Sequence, residues 1–194
     1  MTTETKVIIG VVVATVILLG GGIWFLSIQG AREQTKLSKS LIGEAIANQG
    51  ANHVPESTKE EYSTNPPTSG PHYANSQPAG VYEREVPDGN LIHSMEHGAV
   101  ILWYKPSGNA NNQPTEGTES AEINSLSKQD IERLKQTFNS ASVSKKIMVP
   151  RDSLDVPIAL TSWGRLLKLQ TIDEGQIKNF METNEDRGPE KAPL

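Results

Sequence analysis

The side chains in this chain best suited to chemistry are its four histidines, His53, His72, His93 and His97, together with the carboxylate of Glu96. Imidazole is the commonest protein ligand for transition metals, and it binds them as the neutral ring. His93 and His97 are four residues apart, with Met95 and Glu96 between them. On a helix or a tight helical turn this spacing puts both rings on one face, where they can share an ion. On an extended strand the same pair would lie about 13 Å apart, too far to share one. A metal site therefore requires a compact backbone from Leu91 to His97, with the apolar run Ala99 to Tyr104 (AVILWY) starting a core strand only at about Gly98. His72, in a loop made rigid by Pro66, Pro67 and Pro71, is the third candidate ligand, and His53 is a further one.

The expected cofactor is a transition-metal ion, copper or zinc. A thioether from Met95 would bias the site toward copper(I), whereas imidazoles alone suit zinc, copper, iron or nickel. Methionine also fills irregular core gaps, and this is the competing role for Met95. His93 to His97 matches H-x-x-E-H, in which two histidines hold zinc and the glutamate activates water. A metal-dependent hydrolase with Glu96 as its base is thus the alternative function, although Asn90 and Gly98 leave at most two helical turns for a motif that belongs on a long helix. Otherwise Glu96 orients a histidine through its second ring nitrogen. In a third reading the histidines are only hydrogen-bonded, in a structural or interaction domain.

With no cysteine, thiolate sites, iron-sulfur clusters, disulfides and cysteine nucleophiles are excluded. A net charge of -5 provides no basic footprint, so nucleic acid is not an expected partner. No protein partner is indicated. Ser69 lacks the G-x-S-x-G elbow of a serine nucleophile. Arg151 and Arg165 read as ion-pair members, with Asp152 and Asp155 as neighbours, and Trp163 as a side chain packed under a sheet.

The elements that must position these residues follow from the rest of the pattern. Residues 1–6 form a short tail, and Val7 to Ile28 carries no charge. At about 1.5 Å per residue such a helix spans the roughly 30 Å hydrocarbon core of a bilayer. The segment reads as an uncleaved single-pass anchor: it is longer than the apolar region of a signal peptide, and no A-x-A site follows it. Leu37, Leu41, Ile42, Ala45 and Ile46 suggest a helix over Glu33–Gln49, a stalk within residues 29–50 that Gly50 ends. Prolines 55, 66, 67, 71 and 78 make residues 51–80 irregular.

Gly80 to Val86 alternates as a half-exposed strand, and Pro87 to Asn90 reads as a turn. Residues 107–122 read as a flexible loop. Ser127 with Asp130 signals a helix to Phe138, whose Ile131 and Leu134 share its apolar face. Lys146–Pro150, Pro157–Thr161 and Arg165–Leu169 read as short strands, one of them bearing Met148 in the core. Thr171 with Glu174 signals a last helix through about Met181, and residues 184–194 an extended tail. The fold class expected is α+β: a transmembrane helix, then one small domain over residues 51–183 with a mostly antiparallel sheet and two or three covering helices.

HVPE at 53–56, PPTSGPHY at 66–73, GVY at 80–82, IHSMEHGAVILWY at 92–104 and ALTSWGR at 159–165 occur in this order. In these motifs the chain resembles an uncharacterised bacterial family of membrane-anchored domains of unknown function, over about residues 50–190. The resemblance implies an N-terminal anchor, a domain outside the cytoplasm, and histidines matching His53, His72, His93 and His97. The flanking charges, Lys6 before the apolar segment and Arg32, Lys36 and Lys39 after it, taken alone favour the opposite orientation. Met95 stands where relatives often have leucine, which weighs against its being a ligand.

Overall fold

The computed structural model describes residues 2–38, 41–107 and 124–194. Of the loop expected at 107–122, all but Ser107 lies outside the described residues. The chain divides into two compact units, Met1–Ser40 and Leu41–Leu194. The first is helix α1 (Thr3–Ser38). Its Thr3–Ile28 segment, with a mean hydropathy of 2.5, is long and apolar enough to cross a membrane. Among the described residues, the exposed large apolar side chains lie along α1, apart from Val81.

The helix expected over Glu33–Gln49 does not reach that far. It ends at Ser38, and Glu44–Ala45 form strand β1 instead. Gly43 is incompatible with a helix through this stretch: its φ is +94°, and a Cβ there would sit 2.8 Å from both the Leu166 carbonyl and the Phe180 ring. Only glycine tolerates that left-handed, tightly packed position.

The second unit is built on one six-stranded sheet, ordered β1-β6-β5-β3-β4-β2. Its other strands are β2 (Gly80–Val81), β3 (Val100–Tyr104), β4 (Lys146–Pro150), β5 (Ile158–Ser162) and β6 (Arg165–Leu169). The AVILWY run is β3, buried throughout, and it sits between two partners. Leu102 lies opposite Leu160 of antiparallel β5 and opposite Met148 of parallel β4. The sheet is therefore mixed: β1–β6, β3–β5 and β5–β6 are antiparallel, β3–β4 and β2–β4 parallel. Three of these five pairings are antiparallel, so the mostly antiparallel sheet expected is present with a parallel part, β3–β4–β2, at one side. Between β3 and β4 the chain passes through helix α3 (Lys128–Ser140), and a crossover of that kind is what parallel neighbours need.

Alternation along the strands sends side chains to two cores. Val100, Leu102 and Tyr104 of β3, with Met148, Ile158 and Leu160, meet Leu134 and Phe138 of α3 and Ile177, Phe180 and Met181 of α4 (Glu174–Asn184). Ser127 caps α3, its Oγ accepting the Asp130 amide at 3.2 Å. Helix α4 is capped by Asp173 rather than Thr171, through the Gln176 amide at 2.9 Å, and it runs on to Asn184.

On the opposite face Ile101, Trp103, Ile147, Val149 and Ala159 meet Leu91, Ile92 and Met95 of α2 (Asp88–Glu96). Residues 88–90, read as a turn, are the first turn of this helix, with Pro87 at its N-cap. Proline there forfeits no helical hydrogen bond, since the first amides of a helix are unpaired in any case. Arg151 clasps Asp88 at 2.6 and 3.1 Å and lies over the Trp103 ring. The pairing expected for Arg151 with Asp152 or Asp155 is thus replaced; Asp155 pairs with Lys168. The strand expected over Gly80–Val86 is confined to Gly80–Val81.

Candidate metal centre

Helix α2 presents two adjacent stripes. Leu91, Ile92 and Met95 point into the apolar core, while His93, Glu96 and His97, at helical positions i, i+3 and i+4, share the neighbouring face. The backbone from Leu91 to His97 is helical up to the cap at His97, and β3 starts at Val100, as a shared ion requires. Met95 is fully buried in the aliphatic cluster, which makes it a core residue. Met148 is likewise core, in the cluster under α3 and α4.

The proline-rich segment supplies the second wall. Residues 50–54 and 70–72 run side by side, Gly70 N donating to Gly50 O at 3.0 Å, His72 N to Asn52 O at 2.9 Å and Val54 N to His72 O at 2.8 Å, so that His53 and His72 form a parallel bridge. Tyr62 braces the turn: its hydroxyl donates to Pro71 O at 2.9 Å, and burial pushes its pKa up to about 12, which keeps it a donor. Ser69, buried, accepts the Gln49 amide at 3.1 Å and so belongs to this scaffold. Trp163, expected under the sheet, is half-buried, its ring edge-on to His72 at 6.3 Å.

Between these walls four rings and a carboxylate converge. His72, His93 and Glu96 are buried; the His53 side chain is 51% exposed and forms the rim. His53 stacks on His93 with centroids 4.9 Å apart, and His72 meets both rings edge-on. One ligand atom each from His53, His72, His93 and Glu96 lie within 4.8 Å of one another, a group that could hold a metal ion. His97 Nε2 is 3.0 Å from His93 Nε2, but it falls in a second group, with Glu96 and Glu190.

The hydrogen bonds around these rings determine where the protons are. Nδ1 of His72 faces Gly70 O at 2.8 Å, Nδ1 of His93 faces Tyr73 O at 2.7 Å, and Nδ1 of His97 faces Pro193 O at 3.0 Å. A carbonyl only accepts, so each Nδ1 carries a proton, and in the neutral ring each Nε2 presents a bare lone pair. Those lone pairs point at further acceptors: Glu96 Oε2 at 2.9 Å from His72, and the second Nε2 at 3.0 Å between His93 and His97. Contacts of this kind need a positive charge between the partners, either a proton or a metal ion. Burial, the largest influence, holds the His93 pKa below its ordinary value, aided by the neighbouring His97, His72 and His53 and opposed by the Tyr73 hydrogen bond. That disfavours a proton on His93 Nε2.

Glu190 had no signal in the sequence. It comes from residues 185–194, which turn back over α2, Asp186 N donating to Gly98 O at 2.8 Å and Glu190 N to Glu96 O at 3.1 Å. Gly188 packs against the last turn of α2, where an added Cβ would collide with the carbonyls of Met95 and Glu96. Lys145 fastens the return, donating to His97 O at 2.8 Å and Ala192 O at 2.7 Å and pairing with Asp186 at 3.0 Å.

The family model described as "Protein of unknown function (DUF3105)" matches residues 53–116 and 122–193. All six residues of the two groups lie within those ranges. No curated protein and no solved structure matches the chain.

Proposed function

The chain belongs to the DUF3105 family, and for this member we propose that the domain binds a divalent transition-metal ion, zinc or copper(II), through His53, His72, His93 and Glu96. The observation that carries this reading is the set of Nδ1–H donations from His72 and His93 to backbone carbonyls, with both Nε2 atoms turned toward Glu96 and His97. A carbonyl on the distal nitrogen is the usual arrangement behind a metal-bound histidine, where it fixes the tautomer and raises the ring's basicity. Imidazole with carboxylate suits zinc or copper(II). With Met95 in the core and no cysteine, the soft donors that select copper(I) are missing.

Glu96 Oε2 sits 2.9 Å from His72 and 3.7 Å from His53, inside the ligand set. This favours binding over hydrolysis, because a general base stands one water away from the ion. The apolar Thr3–Ile28 segment supports a membrane anchor; the proposed placement of the domain outside the cytoplasm rests on the family resemblance, against the flanking charges. A reporter fused after Leu194 tests the orientation, and the N-terminal sequence of the mature protein distinguishes an anchor from a cleaved signal.

The experiment for the metal uses the full chain in detergent, stripped by a chelator and titrated with Zn²⁺. Bound metal is measured directly and stability by thermal melting. A ligand at a thousand times its dissociation constant stabilises by about 4 kcal/mol, which for a domain of this size raises the melting temperature by about 10 °C. His72→Ala or His93→Ala abolishes both metal retention and the shift. Wild-type protein that retains no zinc or copper(II) and shows no shift overturns the reading.

A further inference from the structure

We infer that the centre has a second cation position, formed by Glu96, His97 and Glu190, so that the Glu96 carboxylate is shared between two ions. This rests on the metal reading of the first group and extends it to a dinuclear site.

Nδ1 of His97 is bonded to Pro193 O, so in the neutral ring Nε2 is a lone pair, and around it stand Glu190 Oε2 at 3.6 Å and His93 Nε2 at 3.0 Å. Once His93 Nε2 is engaged by the first ion, His97 Nε2 is left facing carboxylates and no donor. One ligand atom each from Glu96, His97 and Glu190 lie within 4.8 Å of one another, a second group that meets the first at Glu96 alone. Carboxylates are the side chains able to bridge, because their two oxygens can bind two ions, and two-metal sites in proteins have ions about 3.5–4 Å apart. The set of two oxygen donors and one imidazole suits zinc and leaves coordination positions open.

The construction around Glu190 argues against an accidental approach. Its own amide is bonded to Glu96 O, so the two glutamates that share the position are linked through the backbone. Pro193, three residues beyond Glu190, orients His97. The segment thus provides one ligand and positions another. The Glu190 side chain is 54% exposed, which makes it the entry side of the second position and a residue whose replacement leaves the core intact.

The test is zinc stoichiometry in the full detergent-solubilised chain, compared between wild type and Glu190→Gln, with melting curves confirming that both are folded. Two zinc ions per chain in wild type, with the second lost or weakened about tenfold or more in E190Q, is the expected result. One zinc in both proteins overturns the second position and leaves the single-ion site standing. Two zincs bound equally well by both overturns Glu190 as a ligand. No zinc in wild type, and no copper(II) when that ion is supplied in its place, overturns the dinuclear and the single-ion readings together.

Discussion

The two faces of the sheet are held by different means. Against one lie α3 and α4, amphipathic helices with their own side-chain caps, and the contacts are aliphatic and aromatic. Against the other lie α2 and an irregular proline-rich segment, fixed by individual hydrogen bonds from Gly50 to His72 and by the returning residues 185–194. Where apolar packing determines structure, no polar side chain has to be aimed. Where single hydrogen bonds aim single rings, polar groups can be buried together, and the histidines are found there. This follows from the cost of burying an unpaired polar group, which only a partner-by-partner construction avoids.

The sharpest way to break the comparison is to damage each face and read both stability and metal. Phe180→Ala removes a fully buried ring from the helical face and costs about 4 kcal/mol in urea unfolding, while the folded fraction keeps its zinc affinity. Loss of affinity in that variant would mean that the faces are not independent. Gly188→Ala acts on the other face: the new methyl must displace the end of α2, which costs about 3 kcal/mol and lowers zinc affinity along with stability. Stability lost with affinity intact would detach the returning segment from the site.

Tyr62→Phe gives the smallest effect, about 1 kcal/mol, from the hydrogen bond to Pro71 O. The same residue sets a pH dependence. Its folded pKa of about 12 stands above the ordinary value of 10.0, so its contribution is complete below pH 10 and is lost as the pH rises toward 12. Unfolding free energies of wild type and Y62F across that interval should converge on the alkaline side.

The helical face was the more legible one in the sequence. The AVILWY strand, the KIMVP and IALT segments and the Ser127 cap all follow from local periodicity and capping chemistry, and the structure has them at or within a few residues of the positions read. Errors arose where a local preference was overridden. Asp88–Asn90 favour a turn by composition, yet the Arg151 clasp and Pro87 hold them in a helix. Ala45 and Ile46 continue a helical spacing, but the pairing of β1 with β6 prevails.

On the site face, the four-residue spacing of His93 and His97 indicated a shared face, and prolines around His72 indicated rigidity; the rings of His53, His72 and His93 do meet. Glu96 read as a conditional participant, although it belongs to both groups. Glu190 was invisible for a physical reason: its approach depends on the path of a segment without periodicity, set by long-range bonds to Gly98, Glu96 and Lys145.

The meeting of the two groups at Glu96 also has a topological consequence. Ions held at both groups would tie His53 to Glu190 through Glu96 and so close almost the whole domain into a single ring of chain, pinched again at residues 72 and 93. In the unfolded ensemble such closure removes conformations much as a disulfide does, and for a loop of on the order of a hundred residues the chain-entropy scale is about 4–5 kcal/mol. A protein without cysteine would in this way carry a reversible cross-link, fastened by metal and undone by a chelator, and with zinc as the ion it would not depend on the redox state of its surroundings.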